Sequence, residues 1–416
     1  MKNTNKKGLC LLFLMFISFA LSANPLQTWD HDFNPALLST GNREYVELGM
    51  SLDASLSNSY FTLQELFPED NVLVLDFNEM ADELNGKDLK FAASIDMEQH
   101  FVVTLLDVSV GQYVTVEGAV ATAVPNNVIE VIADGISIGE SNSDTGEIYA
   151  KVFATAGMYG GYRWKDKWQF SAKFGAFTPL IYSDGDANFS YSALNEDDGS
   201  LSASASMEIP LYSLFNMEDN EIDAGSIPEY LGYTMDFGAI RVIDDKPAYG
   251  FSLTGLTVAS AVMPYTNTVT YSTSISTDNI LDYVDDEDSL TEESEDVDIV
   301  TTEENYKVSM PLAIGGFYRL TGYPSFIDWI GTGEITLDDG SVYLASGITA
   351  EGNIFPLTAL SLSLDYDKFF WETSMGLRFN VRVIEMGVDV GFSNTRFVKM
   401  FSPSGVTAGF YMGMGF

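Results

Sequence analysis

Few residues of this chain have both the type and the spacing that chemistry requires. Gly135-Ile-Ser-Ile-Gly139 spells the G-x-S-x-G of a nucleophile elbow. That elbow needs a strand-to-helix turn, whereas here the motif is expected to follow a helix and enter a loop. A serine nucleophile would also need a general base, and the chain has two histidines, His31 and His100. Two distant histidines and a single cysteine, Cys10, make a poor ligand set for zinc. Asp184-Gly-Asp-Ala-Asn188 spaces oxygen atoms as a calcium loop does, but Phe189 stands where such a loop needs glycine and Asn195 where it needs a bidentate acid. No catalytic residue and no cofactor is therefore assigned, the chain is not read as an enzyme, and any metal ligands are left unknown.

The strongest chemical signal is bulk charge. Among 416 residues, 20 Lys and Arg face 60 Asp and Glu, a formal net charge of −40. A chain so acidic repels nucleic acid, which is set aside as a partner. Yet 46 % of the residues are hydrophobic, 13 % are aromatic and 35 are glycine, too apolar a composition for a disordered acidic protein.

The beginning of the chain indicates where the protein goes. Lys2, Lys6 and Lys7 precede an apolar run from Leu9 to Leu21, followed by small residues to Ala23. This three-part pattern is that of a secretory signal over residues 1–23. Its removal takes three lysines and no acid, leaving 17 basic and 60 acidic side chains, net −43, and no cysteine.

Beyond the leader the recurring pattern is alternation. From Val46 to Leu56 one face reads Val, Leu, Met, Leu, Ala, Leu and the other Glu, Gly, Ser, Asp, Ser. The same period of two returns at 168–176, 201–209, 360–366 and 371–379. A soluble sandwich also alternates, but its strands average nearer six residues, whereas these run to about nine to eleven, enough to cross a bilayer at a tilt of about 45°. Tyr159, Tyr162 and Trp164 close one strand and Phe369, Phe370 and Trp371 open another, as interfacial aromatics do. The expected fold is all-β: a transmembrane antiparallel barrel over residues 45–416, of about 14 strands with 12 to 16 allowed, and with short helices in loops or lumen.

The last strand carries its own signal. Phe410, Met412, Met414 and Phe416 share one face up to the final residue. Alternation ending on a terminal phenylalanine resembles the assembly signal of bacterial outer-membrane barrels. It implies the outer membrane of a double-membrane bacterium, with membrane lipids and the barrel assembly machinery as partners.

Short helices are expected from Asp76, with Gly86 as the stop, from Asn127 to Gly135, and around 226–232. Residues 277–305 hold a run of carboxylates with no Lys or Arg between them and read as a disordered acidic loop. With apolar faces toward lipid, the alternation turns Glu47, Asp53, Lys151, Lys173, Asp365, Glu372, Arg378 and Asp389 toward the lumen. Charges of both signs suit a wet pore, and the acidic excess favours cations.

Two short stretches carry a family resemblance. Asn34-Pro35-Ala36 lies before the first long strand, and Tyr306-Lys-Val-Ser-Met-Pro311-Leu-Ala-Ile-Gly-Gly316 opens a later one. Together they resemble the N-P-A turn and Pro-then-Gly strand of the FadL-type outer-membrane transporters of hydrophobic compounds, and of related uncharacterised barrels that share N-P-A. The resemblance implies a 14-stranded barrel whose N-terminal segment, residues 24–44, enters the lumen with Asn34, Pro35 and Ala36 as a hatch turn. The segment before N-P-A is shorter here than the hatch of that family. The expected function is transport, either porin-like passage of small solutes with cation preference or a FadL-like conduit for hydrophobic compounds. The alternative is a structural or adhesive surface barrel whose acidic loop binds a partner or a cation.

Overall fold

The computed structural model describes residues 33–39, 45–62, 65, 76–134, 139–165, 167–195, 201–218, 227–244, 246–277, 292–321, 326–355, 357–367, 370–381, 383–395, 397 and 403–415. Residues 1–32, which include the expected secretory leader and His31, lie outside them, as do Gly135 and Phe416. No described helix is long and apolar enough to cross a membrane.

Among the described residues seventeen strands form one sheet. They are β1 (Val46–Asn58), β2 (Leu89–Leu105), β3 (Val108–Val124), β4 (Glu140–Trp164), β5 (Trp168–Asn195), β6 (Leu201–Ser213), β7 (Gly232–Ile243), β8 (Lys246–Ala259) and β9 (Ala261–Thr277). After these come β10 (Glu292–Val308), β11 (Leu312–Thr321), β12 (Ile327–Asp338), β13 (Ser341–Phe355), β14 (Thr358–Asp367), β15 (Phe370–Val381), β16 (Ile384–Asn394) and β17 (Gly405–Gly415). Every ladder is antiparallel, and the sheet closes where β1 pairs with β17 from Glu47↔Gly415 to Ser57↔Gly405.

The ladders place these seventeen strands in fourteen wall positions, because three positions are each shared by two strands. β5 pairs with β7 low on the wall and with β6 higher up, so β6 and β7 follow one another in a single position. Ser260 alone separates β8 from β9, and 309–311 separate β10 from β11. The β8–β11 and β9–β10 ladders therefore continue each other as one long hairpin. The remaining strands β1 to β5 and β12 to β17 hold one position each.

Closure explains the alternation. Leu48, Met50 and Leu52 of β1, Leu362 of β14, Met375 and Leu377 of β15 and Val388 of β16 all point outward and are exposed. Their neighbours Glu47, Ser51, Ser361 and Glu385 are buried inside. An apolar exterior around a polar interior is the arrangement a bilayer selects, since lipid covers the outer face and closure removes the edges that β1 and β17 would otherwise expose. The fold is a transmembrane β-barrel.

The two ends of the barrel differ. At one end tight turns join β2 to β3, β4 to β5 and β7 to β8, with Leu106, Lys165 and Asp244 at positive φ. The other end bears longer connections, among them helices α1 (Phe77–Leu84) and α2 (Asn126–Asp134), whereas α3 (Ile227–Tyr230) lies midway along the wall between β6 and β7. Asp76 caps α1 by accepting from the N–H groups of Asn78 and Glu79, each at 3.1 Å. The stop comes one residue before the expected Gly86, at Asn85, whose φ of 51° is left-handed. Phe61, Met80, Leu84, Leu89 and Ile129 form an apolar cluster that joins α1 and α2 over the rim.

One expectation is corrected. The acidic stretch expected as a loop over 277–305 is strand from Glu292 onward, because Ser, Thr and Val of β9 offer it a ladder from Glu292↔Ser276 to Thr302↔Thr266; residues 278–291 lie outside the described ones. Asp184 to Asn188 is strand within β5, paired with Thr145 to Tyr149, so it does not form the loop that wraps calcium.

A charge on the lipid face tests this orientation. Leu377→Arg, near the middle of β15, is expected to destabilise the barrel by about 2–4 kcal/mol in a denaturant titration in lipid vesicles.

Candidate functional site

The candidate site is the lumen, and the register fixes what lines it. All eight charged residues read from the alternation, Glu47, Asp53, Lys151, Lys173, Asp365, Glu372, Arg378 and Asp389, fall on inward positions of the ladders. They do not form one group.

Toward the short-turn end a buried relay of charge crosses β1, β2 and β5. His100 Nε2 lies 3.7 Å from Glu47 Oε1, and its Nδ1 lies 3.4 Å from Glu98 Oε1. Glu98 Oε2 is 3.7 Å from Lys173 Nζ, which sits over the ring of Tyr113 at 4.8 Å. Glu98 is 1 % exposed and Lys173 2 %, so each carries the other's desolvation cost. Gly49 makes room for this arrangement, since a Cβ there would strike the His100 ring.

The N-terminal segment sits against the same half of the wall. Asn34 Nδ2 donates to the Phe251 carbonyl at 3.0 Å, and Asn34 Oδ1 accepts from the Ala36 N–H at 3.0 Å. Pro35 then begins a single 3-10 turn, Pro35–Ser39, where its missing N–H and fixed φ cost nothing. Ala36 and Leu37 pack on Ile240, Phe317 and Ile330, and Leu38 packs on Val102 and Tyr159. Glycine again supplies the space: a Cβ at Gly238 would collide with Asn34 Oδ1 and crowd the Ala36 nitrogen.

Above this segment lie two cavities. The inner one, about 490 Å³, is lined by Asp53, Asp96, Glu117, Asp236 and Glu334, with Lys151 and Lys173 opposite. The outer one, about 390 Å³, is lined by Glu147, Asp186, Asp365, Asp367 and Glu372, with Lys90 as its base. Glycine shapes this wall too, because a Cβ at Gly409 would meet both Asp53 and Asp389. Thr407 donates to Glu372 at 2.9 Å, and Arg378 Nη1 donates to Glu351 Oε1 at 3.0 Å.

Beside the break between β6 and β7 the wall is aromatic. Phe153, Phe177, Tyr182, Met263 and Val308 are buried there, with Tyr212 stacked on Tyr306 at 3.9 Å. Outside the bilayer span, burial raises the Tyr191 phenol above its ordinary value, and its hydrogen bond to Asp144 adds to the shift. Among the described residues no group of three or more His, Cys, Asp or Glu is placed to hold a metal ion.

Several lumen residues were not legible in the sequence. Glu98 and Asp96 were not singled out because no long alternating face was read over β2, and His100 was named without a position on the wall. Asp338 and Asp339 were missed because β12, with Gly331, Gly333 and Glu334, lacks an unbroken apolar face. Of the terminal signal, Phe410 and Met414 face outward and are exposed, and Met412 shares their face half-buried.

A closed sheet with an apolar exterior, a charged lumen and an N-terminal turn packed on the inner wall is a transmembrane barrel. The chain aligns along most of its length with the toluene transporter TodX of Pseudomonas putida, at 9 % identity over 96 % of this chain and 97 % of that one, TM-score 0.45. It aligns likewise with the toluene transporter TbuX of Ralstonia pickettii, at 10 % identity over 96 % and 98 %, TM-score 0.46, and with a FadL homologue of Pseudomonas aeruginosa, at 9 % identity over 95 % and 94 %, TM-score 0.42. No protein-family model and no curated protein matches the sequence. The barrel is established by the ladders of this chain itself.

Two substitutions test the lumen. Lys173→Met leaves Glu98 buried beside Glu47, and a loss of about 3–5 kcal/mol in denaturant titration is expected, recovered in large part by adding Glu98→Gln. Gly238→Val is expected to expel the Asn34 turn, read as faster proteolytic cleavage near residue 34 in an otherwise folded barrel.

Proposed function

We propose that the protein is an outer-membrane passage barrel of a double-membrane bacterium, through which small solutes move with a preference for cations. The short turns then face the periplasm and the longer connections the exterior, as in bacterial barrels generally. The carrying observation is the charge of the lumen wall. Five carboxylates line the inner cavity against Lys151 and Lys173, and both lysines are held by further carboxylates. A low-dielectric wall focuses this acidic field and concentrates cations inside it.

In this reading the turn at Asn34 to Ala36 is a hatch. It narrows the periplasmic half of the path, and its bond to the Phe251 carbonyl supports that role. The outward residues Phe410, Met412 and Met414 meet membrane lipid and, during insertion, the assembly machinery. A second reading, a conduit for hydrophobic compounds, is favoured by the cluster of Phe153, Phe177, Tyr182 and Met263, because Phe153 also lines the inner cavity.

Reversal potentials of the refolded mature protein in a planar bilayer under a KCl gradient separate the two. A polar acidic passage predicts potassium over chloride, with the ratio falling at least twofold in the Asp365→Asn/Glu372→Gln variant. Chloride preference overturns it, and saturable uptake of a neutral aromatic probe without ion conduction favours the second reading.

A further inference from the structure

The turn between β12 and β13 does not stay over its own strands. Asp339, with φ 42°, and Gly340, with φ 87°, make a tight hairpin turn of the Asp-Gly kind. The carboxylates at its tip reach residues of β4 and β5, which lie across the ring from β12. Lys151 Nζ donates to Asp338 Oδ1 at 2.8 Å and to Asp339 Oδ2 at 3.0 Å. The same ammonium sits over the rings of Tyr149 and Tyr182, at 4.8 and 4.9 Å. Tyr149 donates to Asp338 Oδ2 at 3.3 Å, and the Tyr182 hydroxyl donates to Asp339 Oδ2. Five side chains from opposite walls thus meet at one point inside the lumen.

That point lies between the two cavities. The inner cavity reaches Thr336, Lys151 and Phe153, and the outer one reaches Ser341, Tyr343 and Glu147. Both share Tyr149 and, along the neighbouring strands β1 to β3, the small residues Ser55, Ser94 and Ala119. The neck therefore has one wall of small side chains on regular strands and one wall made by a hairpin tip that charge holds in place. The two sides of the contact differ in burial: Lys151 and Asp338 are nearly inaccessible, whereas the Asp339 side chain keeps 45 % of its surface. The outer partner is thus within reach of solvent.

We infer that the Asp338–Asp339 tip is a strap that narrows the neck between the two cavities, and that Lys151 is the latch that holds it closed. It rests on the reading of the lumen as a passage. A buried ammonium between two carboxylates and two aromatic faces keeps the strap in place most of the time. Release of the pair lets the hairpin tip withdraw toward its own wall and joins the cavities. Lys151 and Asp338 are positioning residues here, and they control the width of the path rather than what it recognises.

The mature chain has no cysteine of its own, which makes thiol labelling clean. A single cysteine is placed in the inner cavity as Thr155→Cys, and another, separately, in the outer cavity as Ala121→Cys. Each is labelled in intact proteoliposomes by a trimethylammonium methanethiosulfonate added from the long-loop side. The expected result is at least a tenfold faster modification of Thr155→Cys when Lys151→Gln is added, with the rate at Ala121→Cys unchanged. Asp339→Asn, a milder change at the half-exposed partner, is expected to give a smaller rise, and Lys151→Arg none. The exchange Lys151→Asp/Asp338→Lys is expected to restore the slow rate. An unchanged rate at Thr155→Cys in both Lys151→Gln and Asp339→Asn overturns the strap, and so does an equal rise at both cysteines, which reports general loosening. A protein that conducts no ions yet shows the differential labelling would sink the transport reading while leaving the strap standing.

Discussion

Every backbone N–H and C=O that enters hydrocarbon must be paired within the protein, and the pairing of β1 with β17 is where this chain meets that requirement. Without that ladder the sheet would present two open edges to lipid. With it, the side chains of each strand are sorted by parity alone. Leu48, Met50 and Leu52 go to lipid, and Glu47, Ser51 and Asp53 go inward with no further instruction. The charged lumen is therefore a consequence of closure rather than a separate design.

Once the wall is closed, interior charge becomes a packing problem. The cluster of Glu47, His100, Glu98 and Lys173 is nearly sealed from solvent, where the Lys173 ammonium lies against the Glu98 carboxylate and the His100 ring lies between the two glutamates. Glycine is the tool that brings these groups together. Gly49 gives up its side chain to the His100 ring, Gly238 to Asn34, and Gly409 to the carboxylates of Asp53 and Asp389. The inner wall thus holds bulky polar groups and the N-terminal turn without swelling the ring.

Much of the fold could be read from residue types, because parity is a local property. The long alternating strands at 46–56, 360–366 and 371–379 and the inward direction of eight charged residues follow from two-residue periodicity. Where periodicity is interrupted the reading failed. The acidic residues of β10 read as loop because the partner that pairs them, β9, is distant in type from a lipid-facing strand. Glycines at 331 and 333 hid β12, and with it the carboxylates of Asp338 and Asp339. Contacts across the lumen, such as Lys151 to Asp338, join residues 187 positions apart, and no local pattern announces them. Such contacts shape the inside of the lumen, which is why the wall was more legible than the candidate site.

The central claim is that one face of each strand sees lipid and the other a water-filled lumen. A cysteine scan along β14 of the protein in vesicles tests it most directly, with one substitution at each position from Leu360 to Asp365. The account predicts a period of two: Ser361, Ser363 and Asp365 modified by a small water-soluble thiol reagent, and Leu360, Leu362 and Leu364 modified only by a lipid-soluble one. The reverse pattern, with the leucine positions open to water and the serine positions protected, would contradict it.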